Sequence, residues 1–223
     1  GERIKLVAVG ALTNVALLFT LYPRAAEVLE VVIMGGALGV GNTGAVAEYN
    51  IQNDPEAAKI VFESGAPVTM VPLEVTHTAL VTPDQLARIR GRGEKKGTRF
   101  RALICELLMF FKESYQKTFL FEAPPLHDPC AIAFVIDPTL FETKHLRVDV
   151  ECASPLAYGQ TVCDIWLQSG KPPNVHVAVK MDVPRFWDLM CAAVDEADEL
   201  SPLNATSSGK AQGRGKRERT GEV

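Results

Sequence analysis

The chain has 223 residues, 47% hydrophobic and 22% charged, with a formal net charge of −4. This is an ordinary globular composition with enough apolar residues for a sizeable core, and the acidic balance gives no reason to expect nucleic acid as a partner. No run of about 18 apolar residues occurs, so no membrane span is expected. The five cysteines, Cys105, Cys130, Cys152, Cys163 and Cys191, are irregularly spaced with no CxxC pair, which argues against a disulfide framework or a zinc site. Reduced, mostly buried thiols in a cytoplasmic protein are the expectation.

The chain opens on Gly-Glu-Arg-Ile-Lys and runs almost at once into a buried strand, Ile4 to Val9. That is the start expected of a chain cut inside a domain. Apolar residues then recur at helical spacing from Leu12 to Val28, with a break predicted near Tyr22 because Pro23 follows. Val31 to Met34 reads as a second buried strand. Asp54-Pro55-Glu56 opens a helix through Glu63, since aspartate caps and proline fits the first turn. Val68 to Leu73 is the third strand. Strand, helix, strand, helix, strand with short links predicts a parallel sheet covered by helices.

Thr82-Pro83-Asp84-Gln85 has the form of a capping box. Gly91 to Gly97 reads as a basic surface loop, Phe100 to Phe119 as a long helix, and His127-Asp128-Pro129 as the head of a helix through Val135. Strands are expected at Arg147 to Cys152, Gln160 to Trp166 and Asn174 to Lys180. The first and last alternate, which predicts a half-exposed sheet. Asp182 to Ala197 closes the domain as an amphipathic helix. Residues 1–200 form the domain, and 201–223 read as a disordered polar tail. Its basic residues, Lys210, Arg214, Lys216, Arg217 and Arg219, are interleaved with glycine and glutamate, as in a solvated tail.

Two clusters could carry chemistry. Met34 to Asn50 follows a buried strand, at the end where open α/β sheets bind ligands. Its glycines permit tight turns, and Asn42, Glu48 and Asn50 bring together amides and a carboxylate, the groups that grip vicinal hydroxyls. Taken alone, the same residues could simply cap neighbouring backbone. Gly39-Val40-Gly41-Asn42-Thr43-Gly44 also matches GxGxxG, but no helix is expected directly after Gly44, which speaks against a dinucleotide site. In the second cluster, His127 stands beside Asp128 at a helix start. An imidazole can protonate a leaving group and a carboxylate can bind a hard cation, although an aspartate before proline is first of all an N-cap. His77, His145 and His176 read as separate, unpaired residues of surface or core.

The two clusters converge in a resemblance. VVIMGGALGVGNTGAVAEYNIQNDPEAAKIVFE (Val31 to Glu63) is similar to the central signature of the inosine–uridine-preferring nucleoside hydrolase family. LVAVGALTNVAL (Leu6 to Leu17), VTMVPLEVTHTALVTP (Val68 to Pro83), LHDPCAIAFVIDP (Leu126 to Pro138) and VAVKMDVPRFWDLM near the end follow the family in the same order. The resemblance covers about residues 3 to 197. It implies an α/β fold, a mostly parallel Rossmann-like open sheet flanked by helices, incomplete at its N-terminus, with a small C-terminal β addition. It also implies hydrolysis of the N-glycosidic bond of a ribonucleoside, with Ca²⁺ holding the attacking water, by a homodimer or homotetramer. In the family's pattern Asp128 and the Val9 carbonyl match metal ligands. Asn42, Glu48 and Asn50 match residues that hold ribose hydroxyls, and Met34 one that lines the ribose. His127 matches the histidine that helps protonate the departing base. Tyr49 stands where phenylalanine is common. The family's DxDxxxDD motif occurs nowhere in the 223 residues. With it go the expected general base and most calcium ligands, so this polypeptide is expected to be inactive alone. The alternative is a non-catalytic module that binds a sugar or a partner.

Overall fold

The computed structural model describes residues 3–91, 97–119 and 123–204. The middle of the basic loop (92–96) and the tail from residue 205 onward lie outside the described residues. The strands form a six-stranded sheet in the order β1-β2-β3-β6-β4-β5. They are β1 (Ile4–Ala8), β2 (Leu29–Met34), β3 (Val68–Val71), β4 (Phe141–Val150), β5 (Thr161–Asp164) and β6 (Val175–Met181). β1, β2, β3 and β6 run parallel, while β4 and β5 add antiparallel to the β6 side. The C-terminal β addition is therefore an edge of the main sheet rather than a separate layer.

Central strands have helices on both faces, so they read as unbroken apolar runs. On one face α1 (Thr13–Leu21) and α4 (Pro55–Phe62) bury Val15, Phe19, Ala58 and Val61 against Val31, Ile33, Val68 and Met70. On the other, α8 (Asp128–Ile136) and α9 (Val183–Leu200) bury Cys130, Ala131, Phe186 and Trp187 against Val32, Met34, Val71 and Ala178. The predicted break after Tyr22 separates α1 from a short α2 (Ala25–Val28). Asp54 caps α4 by accepting from Ala57 N at 3.0 Å, and Asp182 caps α9 by accepting from Arg185 N at 3.2 Å. Only half of the capping box before α6 (Pro83–Arg90) forms. Thr82 Oγ1 accepts from Gln85 N, but the Gln85 side chain accepts from Arg88 instead of turning back to Thr82.

Three expectations need correction. β4 starts at Phe141, six residues before Arg147. Glu142 to His145 are all exposed, and a bulge at Glu142/Thr143 breaks the alternation that would have shown a strand. Regular structure continues past residue 200. Pro202–Asn204 is a 3₁₀ turn whose Asn204 donates to Asp198 and accepts from Phe100 N. It adds to an anchor in which Arg101 of α7 (Arg99–Phe119), fully buried, donates to Asp198, Asp195 and the Ile89 carbonyl. Finally, His145 and His176 are paired, not separate. They face each other across β4 and β6 with rings stacked 4.3 Å apart at 9°. All five cysteines are free, with Cys105 and Cys130 buried. No described helix is long and apolar enough to cross a membrane.

Candidate active site

β2 ends at Met34, and the chain then needs a turn that only glycine allows. Gly36 has φ +78°, and a Cβ there would lie 2.6 Å from Met70 Sδ. Farther on, a Cβ at Gly41 would lie 2.2 Å from the Ala47 carbonyl oxygen, so the loop closes on bare backbone. A single helical turn, α3 (Tyr49–Gln52), follows, so helix resumes earlier than Asp54 but not at the glycines as a dinucleotide fingerprint requires.

Glu48, 2% exposed, organises this loop. Its Oε2 accepts from Gly36 N at 3.0 Å and Ile51 N at 3.1 Å, and its Oε1 from Asn50 N at 2.9 Å. Burial raises its pKa; the three N–H donors pull it back, and the charge of Asp128 raises it further. Asn50 Nδ2 donates to the Met34 carbonyl at 2.9 Å and approaches Met34 Sδ at 3.4 Å. Its Oδ1 has no hydrogen bond among the described residues. Because no fully buried side-chain polar atom there lacks a partner, that oxygen is open to solvent. Asn42 Oδ1 accepts from Tyr49 N at 2.8 Å. Met34 itself is buried, so its carbonyl and sulfur are what it offers.

The loop also rests on residues that the motif did not reveal. Glu74, in the one-turn helix α5 (Leu73–Thr76), accepts from Leu38 N and Gly39 N at 2.9 and 3.0 Å. Thr161 of β5 accepts from Ala37 N and donates to its carbonyl.

At the second cluster the helix start differs from the expectation. His127 holds the N-cap position, without a side-chain cap, and Asp128 is the first helical residue. Asp54 and Asp137 do cap backbone N–H groups, whereas the Asp128 carboxylate accepts no hydrogen bond among the described residues. Asp128 is itself an exposed residue, and partial desolvation of its carboxyl raises the pKa. His127 has both ring nitrogens engaged, Nδ1 with Thr76 Oγ1 at 2.7 Å and Nε2 with the Tyr115 hydroxyl at 2.8 Å. His77 lies 5.5 Å away, ring to ring, and so belongs beside the site. Sequence reasoning missed Thr76, His77 and Tyr115. The available signal was that Thr76-His77 follows β3, at the same end of the sheet as Met34.

Burial first, and the His77 neighbour second, push His127 down to about 4. The folded protein therefore holds it neutral while the unfolded chain protonates near 6.5. A depressed histidine contributes stability that is present above the unfolded value and lost as pH falls toward the folded one. Between about pH 6.5 and 4, in excess chelator, the wild type is expected to lose ~2 kcal/mol more than His127→Gln, after discounting for the ring's partial exposure. Urea titrations at several pH values measure this, and equal losses in both proteins would contradict it.

The two clusters lie within electrostatic reach of each other. Asp128 charge reaches Glu48, and both carboxylates raise the Tyr115 hydroxyl, after burial as the main cause. α8, which begins at Asp128, packs on β1 and β2. Beside His127 and Asp128 opens a cavity of about 340 Å³, walled by Leu107, Leu108, Phe111 and Tyr115 of α7 and by Pro124 to Pro129. Met34, Asn42, Glu48 and Asn50 do not line that cavity. For a metal, carboxylate and carbonyl oxygens from Asp128 and Val9 suit a hard cation in kind but not in number, since Ca²⁺ takes six to eight oxygens. Among the described residues no group of three His, Cys, Asp or Glu could hold an ion.

The family described as inosine-uridine preferring nucleoside hydrolase matches residues 1–188. The chain belongs to that family. It is 50% identical over 196 residues to a probable ribonucleoside hydrolase of Dictyostelium discoideum, covering 87% of this chain and 58% of that one. It is 42% identical over 197 residues to the inosine-uridine preferring nucleoside hydrolase of Crithidia fasciculata, covering 87% and 61%. Among solved structures, the purine-preferring ribonucleoside hydrolase from Gardnerella vaginalis superposes with a TM-score of 0.79 at 32% identity, covering 88% and 62%. This nucleoside hydrolase chain thus spans about three-fifths of the length of those relatives.

Proposed function

We propose that this chain provides the ribose-binding and leaving-group side of an enzyme that hydrolyses the N-glycosidic bond of ribonucleosides. In the reaction, water adds to C1′, the C1′–N bond breaks, and the base departs with a proton. The observation that carries the reading is Asp128, a carboxylate that caps nothing, beside His127 and within electrostatic reach of Glu48. A carboxylate that caps nothing and feels a second negative charge is the kind of group that a bound cation would join. Asp128 and the Val9 carbonyl would give two oxygens to a Ca²⁺ ion. Bound there, the ion would supply a water of lowered pKa. Asn50 Oδ1 and the Asn42 amide would grip ribose hydroxyls, with Glu48 keeping their loop in shape. The apolar wall of α7 would take the base. His127 would protonate the leaving group through the single N–H of its neutral ring, with Tyr115 next in line. A cytoplasmic homo-oligomer belongs to the same proposal.

The test is release of ribose from inosine and uridine by the protein made from its complete coding sequence, with and without EDTA. Full activity in excess EDTA, or no ribose from any nucleoside, would overturn it. His127→Ala is expected to cost purine nucleosides on the order of 10²-fold in kcat, and pyrimidines less. Equal losses on both would speak against a leaving-group role.

A further inference from the structure

Neutral imidazole has one N–H, and which nitrogen bears it decides what the ring can donate. His127 Nδ1 lies 2.7 Å from Thr76 Oγ1, and Nε2 lies 2.8 Å from the Tyr115 hydroxyl. Thr76 is fully buried, so its hydroxyl proton needs an acceptor inside the protein. Two are in reach. The Leu73 carbonyl is 3.4 Å away, beyond the usual O–H···O range of about 2.5–3.0 Å, and already accepts from His77 N at 2.8 Å. Nδ1, at 2.7 Å, is the better acceptor. A hydroxyl that donates to Nδ1 requires that nitrogen to be bare, and the ring proton must then sit on Nε2, aimed at Tyr115 and the cavity.

We infer that Thr76 is a positioning residue that fixes His127 as its Nε2–H tautomer and so directs the ring's only proton toward the cavity. The inference rests on the hydrolase reading for its purpose but not for its geometry. Thr76 sits at the end of α5, one turn past β3, in the same backbone unit whose Glu74 holds Leu38 and Gly39. One short element thus sets both the glycine loop and the ring opposite it. Without the hydroxyl, Nδ1 and Nε2 would compete for the proton, and the part of the population protonated on Nδ1 would have nothing to give the base.

The chain has four histidines, so ¹⁵N-histidine labelling near neutral pH resolves each ring, and His127→Gln assigns the His127 signals. Wild type and Thr76→Ser are expected to show a protonated Nε2 and a bare Nδ1. Thr76→Val, nearly the same shape without the hydroxyl, is expected to show a tautomer mixture. In the complete enzyme Thr76→Val should lose about tenfold in kcat with KM little changed, and Thr76→Ser should recover most of it. A wild-type ring protonated on Nδ1, or a Thr76→Val ring unchanged from wild type, overturns the inference. So does a shifted tautomer that leaves kcat intact. If wild type shows protonated Nε2 but releases no ribose, the hydrolase reading falls and the tautomer assignment stands.

Discussion

Asp128→Asn is expected to lower ribose release on the order of 10²–10³-fold in the complete enzyme, about 3–4 kcal/mol of transition-state stabilisation. The same substitution is expected to leave the metal-free protein as stable as wild type, or slightly more so. The two halves of this outcome come from one feature. The Asp128 carboxylate accepts no hydrogen bond among the described residues, partial desolvation raises its pKa, and its charge raises that of Glu48. A carboxylate with a raised pKa favours folding below its unfolded value and loses that contribution as pH rises through its folded one. At neutral pH its charge therefore works against the fold, and asparagine removes the charge while keeping the shape. Asp128 is an exposed residue, so that cost is small; what sets it apart is that it caps no backbone N–H group, as Asp54 and Asp137 do. Thermal unfolding in excess EDTA tests the stability half, and calcium titration with a ribose assay tests the other. A large drop in Tm for Asp128→Asn would make the residue structural and undo the assignment.

Much of the fold was legible because it rests on local rules. The two-sided burial of β2 and β3 follows from their unbroken apolar runs, and the break at Pro23 and the cap at Asp54 follow from backbone chemistry. The site was legible only as far as it is contiguous. Met34 to Asn50 and His127-Asp128 stood out because each gathers polar groups at a strand or helix end. Thr161, 124 residues from Ala37, did not, because cross-sheet contacts leave no periodic trace. Tyr115 was lost inside the apolar pattern of α7, where an aromatic residue reads as core. His145 and His176 looked unrelated for the same reason as Thr161. Their pairing depends on β6 entering the sheet between β3 and β4, which the sequence spacing does not reveal. Glu48 was picked out for its chemistry, yet its main partners are three backbone N–H groups, a structural duty that a motif alone does not display.

That duty sets the second large effect. Glu48→Ala is expected to destabilise the protein by about 3–4 kcal/mol and to release the whole loop from Gly36 to Ile51. The substitution strands three N–H groups, each of which costs about 1–3 kcal/mol when buried without an acceptor. Part of this is offset, because burial has already raised the carboxyl pKa and its charge is no longer desolvated. Glu48→Gln should fall between the two. Its carbonyl oxygen can stand where Oε2 serves Gly36 and Ile51, but its NH₂ then meets the N–H of Asn50 and two donors oppose each other. About 1–2 kcal/mol is the expected loss. Urea unfolding gives both values, and hydrogen exchange at Gly36, Asn50 and Ile51 shows whether the loop has opened. The order Ala worse than Gln worse than wild type is the critical result. If glutamine matched alanine, a negative charge rather than backbone acceptance would be holding the loop. If neither variant lost stability, Glu48 would owe its position to ribose alone.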